Sequence, residues 1–216
     1  MIAHRGASFD ERENTLAAFE RAIAVGADYI ELDVQVSADG HLVVFHDLDL
    51  DRLTALSGPL RSRTAAELAE HGIPTLDQVL EVTRGRIGMM AELKSAWRYR
   101  GHDVVRRTVE LLAPGDVVVS FEPWALLAAR RLRPELRALQ HVGYGVSIRT
   151  AARYAWAAGF QDARVTLRGL ARARALGLAT SVYTVNDEHR MQELHAAGVD
   201  AIFSDRPDVL RTVAGQ

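Results

Sequence analysis

Apolar and polar positions alternate along Tyr29–Val36. Ile30, Leu32, Val34 and Val36 fall on one face of the predicted strand and Glu31, Asp33 and Gln35 on the other, since successive strand side chains point to opposite sides. Leu16, Phe19 and Ile23 recur instead at the spacing of one buried helix face, and Asn14 or Thr15 supplies the N-cap. The two patterns then trade places down the chain. Strands are predicted near Ile2, at Tyr29–Val36, Ile87–Leu93, Val117–Ser120, Leu136–His141, Ala163–Val165, Ala179–Thr184 and Ala201–Ser204. Helices are predicted at Leu16–Val25, Leu76–Val82, Val104–Leu112, Trp124–Leu132, Ala151–Ala158, Leu170–Leu176, Glu188–Ala197 and Val209–Val213. Ala24–Ile30 and Ala196–Ile202 repeat one helix-end-to-strand motif, each with a glycine where the chain leaves the helix; Gly159 and Gly177 read the same way. Strands alternating with helices indicate βαβ units and a parallel sheet. Eight such units predict an α/β fold, a (β/α)8 TIM barrel. An open doubly wound sheet is the alternative, but no glycine-rich nucleotide loop follows the first strand. Residues 47–72, with Gly58-Pro59, break the rhythm and read as a small insertion after the second strand. No linker is visible, so 1–216 reads as one domain.

In a barrel the Glu31, Asp33 and Gln35 face points inward, where two carboxylates are costly unless paired with arginine or bound to a cation. Asp39-Gly40 is a hairpin signal. A tight two-residue turn there sets Asp33 opposite His46 and brings an imidazole to the acids, with Asp47 next to it. Gly88, Met90, Glu92 and Lys94 share a face of the third barrel strand, and Glu92 and Lys94 lie at its C-terminal end, where barrel active sites form. His4-Arg5-Gly6 closes the first strand at the same mouth. A local salt bridge is the plain reading of Glu92 and Lys94. Against it, Lys94 is the only lysine of a chain that otherwise uses arginine, and a compact ammonium suits a phosphate oxygen. Two histidines, three carboxylates, one arginine and one lysine thus converge from three consecutive β units, a set suited to metal-assisted phosphoryl transfer. His141 ends the fifth strand and is a further candidate for the pocket; Glu122 and Asn186 also follow strands.

Composition adds exclusions. The 216 residues are 48% hydrophobic and 25% charged, ordinary for a globular protein. A net charge of -2 offers nothing to nucleic acid or to an anionic membrane. The absence of cysteine removes disulfides, zinc thiolates and thiol catalysis. No apolar run is long enough for a bilayer and no signal peptide is visible, so the expectation is a cytoplasmic enzyme with no stable membrane insertion.

An ordered series of motifs resembles the glycerophosphodiester phosphodiesterase family. It runs His4-Arg5-Gly6, Glu13-Asn14-Thr15, Glu31-Leu32-Asp33-Val34, Asp39-Gly40, His46-Asp47, Ile73-Pro74-Thr75-Leu76, Glu92-Leu93-Lys94, Ser120-Phe121, Tyr183-Thr184-Val185-Asn186 and Asp205-Arg206-Pro207-Asp208. The resemblance implies a barrel enzyme that hydrolyses small-molecule glycerophosphodiesters to sn-glycerol 3-phosphate and an alcohol. It implies Glu31, Asp33 and Glu92 as ligands of a divalent cation, Ca2+ or Mg2+, His4 and His46 as the catalytic pair, and Arg5 and Lys94 as phosphate contacts. Tyr183 stands where the family commonly has tryptophan, and would wall the substrate pocket. The same core would serve a phospholipase D-like enzyme acting on lysophospholipid or sphingomyelin, favoured by an apolar rim to which Trp97 and Tyr99 would contribute.

Overall fold

The computed structural model describes residues 1–215. Its strands are β1 (Ile2–His4), β2 (Tyr29–Val36), β3 (Leu42–Val44), β4 (Gly88–Leu93), β5 (Val117–Ser120), β6 (Arg137–His141), β7 (Ala157–Gln161), β8 (Ala179–Tyr183) and β9 (Ala201–Ser204). Each strand other than β3 pairs in parallel with its neighbours, and β1 pairs with both β9 and β2, which closes an eight-stranded (β/α)8 barrel. The helices are α1 (Leu16–Ala24), α2 (Ala65–Glu70), α3 (Leu76–Thr83), α4 (Val104–Leu111), α5 (Pro123–Leu132), α6 (Ile148–Ala151), α7 (Leu167–Ala175), α8 (Glu188–Ala196) and α9 (Pro207–Ala214).

Local chemistry starts these helices where the chain needs them. Thr15 caps α1 by accepting from the Ala18 amide, and α3 opens on a reciprocal capping box between Thr75 and Gln78. Asn14, the other candidate cap, takes a positive φ of 57° and turns its side chain into the barrel instead.

The outward face of β2 packs under the helices, with Ile30, Leu32, Val34 and Val36 fully buried. Each such side chain contributes roughly 2 kcal/mol, which anchors a strand whose inner face carries groups that are costly to bury. Inside the barrel, Ile2, Met90, Val117, Val119, Leu139, Ala157 and Phe203 form an apolar plug. The plug seals one end, so the polar layer above it faces only the C-terminal mouth. Residues 47–72 form a lobe beside that mouth, with α2 and a 3-10 turn around a separate cluster of Phe45, Leu50, Leu60, Leu68 and Ile73.

Three sequence expectations are corrected. The sixth barrel strand is Ala157–Gln161, not Ala163–Val165, which lies in and just after a 3-10 turn; the helix expected at Ala151–Ala158 is only Ile148–Ala151. The run Ala157-Ala158-Gly159 looks helical because its residues are small. Ala157 and Gly159 point into the barrel, where space is short: a β-carbon at Gly159 would lie 2.4 Å from His141 Nδ1 and 2.9 Å from Leu139 Cδ2. Gly159 is therefore a packing glycine inside β7, not a helix end. Gly159→Ala is expected to destabilise the fold by about 1–3 kcal/mol through overpacking, measurable as a lower urea midpoint; an unchanged midpoint would show that the His141 ring has room to move.

The third correction concerns the hairpin. Val34 pairs with Val44 and Val36 with Leu42, so Asp33 faces Phe45 rather than His46. The Gly40 amide donates to Ser37 O, the Ser37 amide donates to His41 O, and Gly40 has φ 85°. This is a three-residue loop with a glycine bulge, one residue longer than the two-residue turn, and it slips the register by one.

Candidate active site

Register sets the polar layer. His4 pairs with Glu31 across β1 and β2, and Asp33 with Glu92 across β2 and β4. Paired residues of parallel strands point to the same side, so Glu31, Asp33 and Glu92 meet inside the mouth. Their nearest ligand atoms all lie within 4.8 Å of one another, and all three residues are buried. Arg5 donates its backbone amide to Glu31 Oε2 (3.1 Å), and its Nε lies 3.5 Å from Asp33 Oδ2. Lys94 Nζ lies 3.2 Å from Glu92 and 3.5 Å from Asp33. Asn14 Nδ2 donates to Asp33 Oδ2 at 2.9 Å. Gly6 lets this turn sit on α1, since a β-carbon there would come within 2.7 Å of the Ala18 backbone.

Three carboxylates face two cationic side chains, which leaves one negative charge over. Burial pushes Glu31 well above the usual carboxylate range, helped by Asp33 and Glu92, and burial raises Glu92 against the pull of Lys94. Asp33 is equally buried, yet Lys94 and Arg5 hold it at about 2. Burial and its acidic neighbours thus bias Glu31 toward its neutral form. A divalent cation would balance the surplus charge without that proton, and the donors are all carboxylate oxygens, as calcium and magnesium prefer. The three acids fit such an ion.

Both histidines are held by a carboxylate at Nδ1. His4 Nδ1 lies 2.7 Å from Asp205 Oδ1, and Asp205 also accepts from Ser8 (2.9 Å) and Asn186 (2.6 Å). Burial works against ionisation of Asp205, but these donors hold it at about 2. His46 Nδ1 lies 2.6 Å from Asp47 Oδ1, and Asp47 Oδ2 accepts from Arg52 Nε at 2.6 Å. Burial opposes ionisation there too, and Arg52 and His46 reverse it. An ionised carboxylate can only accept, so Nδ1 carries the hydrogen in each ring and Nε2 is left for chemistry. His46 does not depend on the expected pairing with Asp33: Gln35 Nε2 donates to the carbonyls of both Phe45 and Asp47 (2.7 Å each) and grips the loop on either side of it. Glu13 joins the two halves, accepting from Arg5 (2.8 Å) and from both terminal nitrogens of Arg52 (3.1 and 2.8 Å).

A cavity of about 150 Å³ brings together His4, Arg5, Glu31, His46, Glu92, Lys94, Phe121, His141, Tyr183, Thr184 and Phe203. Asp33 lies directly behind it, against Arg5 and Lys94, while Glu122 and Asn186, which also follow strands, do not line it, and Asn186 holds Asp205 instead. The Tyr183 ring lines the cavity, and its hydroxyl is buried without a hydrogen-bond partner and kept protonated by that burial. Tyr99 is buried and donates to Gln35, so it forms no apolar rim; Trp97 is exposed.

His141 belongs to the site. Its ring lies 4.4 Å from Phe121 and 4.2 Å from Tyr183, centre to centre, and burial, with Lys94 and His4 nearby, pushes its pKa down to about 3. The unfolded chain takes up a proton near pH 6.5 that the native state refuses until about pH 3. Stability contributed by this group is therefore full above pH 6.5 and falls on acidification, by up to about 1.4 kcal/mol per pH unit. His141→Gln is expected to lose about 2 kcal/mol less than the parent between pH 7 and 5 in urea unfolding. Parallel losses would show that His141 ionises freely in the fold.

Asp205 was within reach of the sequence, since it follows β9 as His4 ends β1. Arg52 was not: it lies in the insertion, with no periodicity to place it.

A (β/α)8 barrel whose mouth gathers buried carboxylates, two cations and two carboxylate-held imidazoles is the framework of a phosphate-ester hydrolase. The model of the Glycerophosphoryl diester phosphodiesterase family matches residues 4–209. A glycerophosphodiester phosphodiesterase of Bacillus altitudinis is 34% identical, covering 96% of this chain and 95% of its own. One from Caldanaerobacter subterraneus is 32% identical over 97% and 95%. Among solved structures, an Oleispira antarctica phosphodiesterase in complex with the product sn-glycerol-3-phosphate superposes with a TM-score of 0.89 at 28% identity, covering 100% of this chain and 96% of that one. The chain belongs to the glycerophosphoryl diester phosphodiesterase family and is a phosphodiesterase. Among the described residues, no helix is long and apolar enough to cross a membrane.

Proposed function

We propose that the chain, as one catalytic domain over residues 1–216, hydrolyses glycerophosphodiesters to sn-glycerol 3-phosphate and an alcohol with His4 and His46 as base and acid. The observation that carries this reading is the placement of two Nδ1-anchored imidazoles around one small cavity that also holds Arg5, Lys94 and the acidic triad. Relatives that align over nearly their whole length carry the glycerophosphodiester phosphodiesterase name, and the Oleispira neighbour holds the glycerol phosphate product.

Glu31, Asp33 and Glu92 would hold a calcium or magnesium ion, which when bound supplies positive charge to offset the phosphate. Arg5 and Lys94 bind the non-bridging oxygens, and the Tyr183 hydroxyl donates to the diester. His4 Nε2 takes the proton of the attacking hydroxyl, from water or from the glycerol 2-position, while Asp205 steadies the resulting imidazolium. His46 Nε2 gives a proton to the departing alkoxide. Burial holds His46 below its ordinary value, and the incoming anionic diester raises it again.

Turnover of glycerophosphocholine and glycerophosphoethanolamine, followed as release of sn-glycerol 3-phosphate with and without chelator, tests the reading. Activity on both is expected, lost with chelator and restored by calcium or magnesium. Undiminished activity in chelator removes the cation, and no activity on any diester removes the function.

A further inference from the structure

The catalytic cavity holds about 150 Å³, below the roughly 300–1,000 Å³ of most small-molecule sites. It has room for a phosphate and one flank of a diester, so the other flank must cross the rim. Phe121 forms part of that rim, and Tyr144 stands edge-on to it at 5.6 Å, half exposed. Beyond Tyr144 lies a second cleft of 380 Å³, between the loop after β6 and the start of α7. Its apolar wall includes Ile148 and Phe160, and its charged groups are Arg149, Arg164 and Arg172.

Exposed arginines are usually no more than solvated surface. Three features set this cleft apart. No carboxylate lines it among the described residues, and none of its three arginines forms an ion pair among them, although most other arginines near the mouth are paired. Gly169 sits inside α7, where glycine weakens a helix; a β-carbon there would start 3.2 Å from Thr166 Oγ1 and 3.6 Å from Phe160, so its absence leaves the cleft clear. Tyr144 takes the left-handed conformation at φ 49° between Gly143 and Gly145, also at positive φ. It is held there by Phe121, by its hydroxyl bond to Gln161 (2.7 Å) and by the Arg164 guanidinium 4.9 Å over its ring. A strained aromatic residue thus links the catalytic cavity to the basic cleft.

We propose that this cleft is the subsite for the alcohol half of the substrate, and that it selects alcohols bearing an anion, a carboxylate or a phosphate. The inference rests on the phosphodiesterase reading above. Arginine forks match either anion, and three guanidinium groups with no carboxylate beside them among the described residues lining the cleft disfavour a cationic alcohol such as choline.

The test compares kcat/KM, with divalent cation present, for four diesters of glycerol 3-phosphate whose alcohols are choline, glycerol, glycerate and glycerol phosphate. The anionic alcohols are expected to exceed glycerol by about tenfold, one such contact's worth of transition-state binding, with choline below glycerol. A gain for glycerate alone or for glycerol phosphate alone supports the subsite and identifies its anion. Arg149→Glu/Arg172→Glu is expected to bring the anionic-to-neutral ratio to about one. Gly169→Leu, which plugs the cleft without changing charge, is expected to lower the same ratio. Arg149 and Arg172 are exposed and Gly169 is half-buried, and circular dichroism confirms that each variant folds. Equal wild-type rates for anionic and neutral alcohols, or a preference that survives both variants, overturns the subsite. No turnover of any of the four overturns instead the reading on which it rests.

Discussion

Alanine at His46 is expected to lower turnover of glycerophosphocholine by about 10²–10⁴-fold with little change in the thermal midpoint. The side chain is about a quarter exposed and is not part of any apolar cluster, so the loop keeps its anchor through Gln35. The leaving group separates this role from its partner's. Choline departs as a strongly basic alkoxide and needs a proton; p-nitrophenoxide does not. With a glycerophospho-p-nitrophenyl substrate, His46→Ala should recover most of the parental rate, whereas His4→Ala should stay slow with both substrates. The reverse pattern would exchange acid and base, and full activity in both variants with choline would remove the imidazoles from the chemistry altogether.

Adding calcium or magnesium to chelator-treated protein is expected to raise its melting temperature by about 5–10 °C at a hundredfold excess over Kd, from about 2.7 kcal/mol of linkage in a domain of this size. Glu31→Gln should abolish both that shift and the restored activity. In chelator the same variant should be no less stable than the parent, because burial and its acidic neighbours already favour the neutral form of Glu31. Glu31 carries a proton below its raised pKa and must release it to bind the ion, so affinity weakens as pH falls. A midpoint in the parent that ignores both ions would sink the cation site, whatever the fate of activity.

Much of this site could be read from strand alternation alone. Once Tyr29–Val36 is a strand, Glu31 and Asp33 must share a face, and the same rule joins Glu92 to Lys94 and puts His4 at a strand end. The barrel followed from the repetition of the unit. Alternation failed where tertiary space overrode local preference. Ala157-Ala158-Gly159 has a helical composition, and the room it must leave for the His141 ring on the neighbouring strand β6 is a tertiary constraint that composition does not record. The hairpin failed by one residue, because Asp39-Gly40 fits both a two-residue turn and a longer bulged loop, and the Ser37 pairing with His41 decides between them. His46 nevertheless reached the cavity, because its position depends on Gln35 rather than on ladder register. The links through Arg52 and Glu13 join segments 39 residues apart, and no periodic signal records such a contact.

The slot after β6 and β7 lies across the barrel from the acids, and no residue of 142–172 touches them. Reaction and discrimination are therefore written in different stretches of chain. Exchanging that stretch between relatives offers a route to new leaving-group tastes in which the apparatus that breaks the bond is inherited whole.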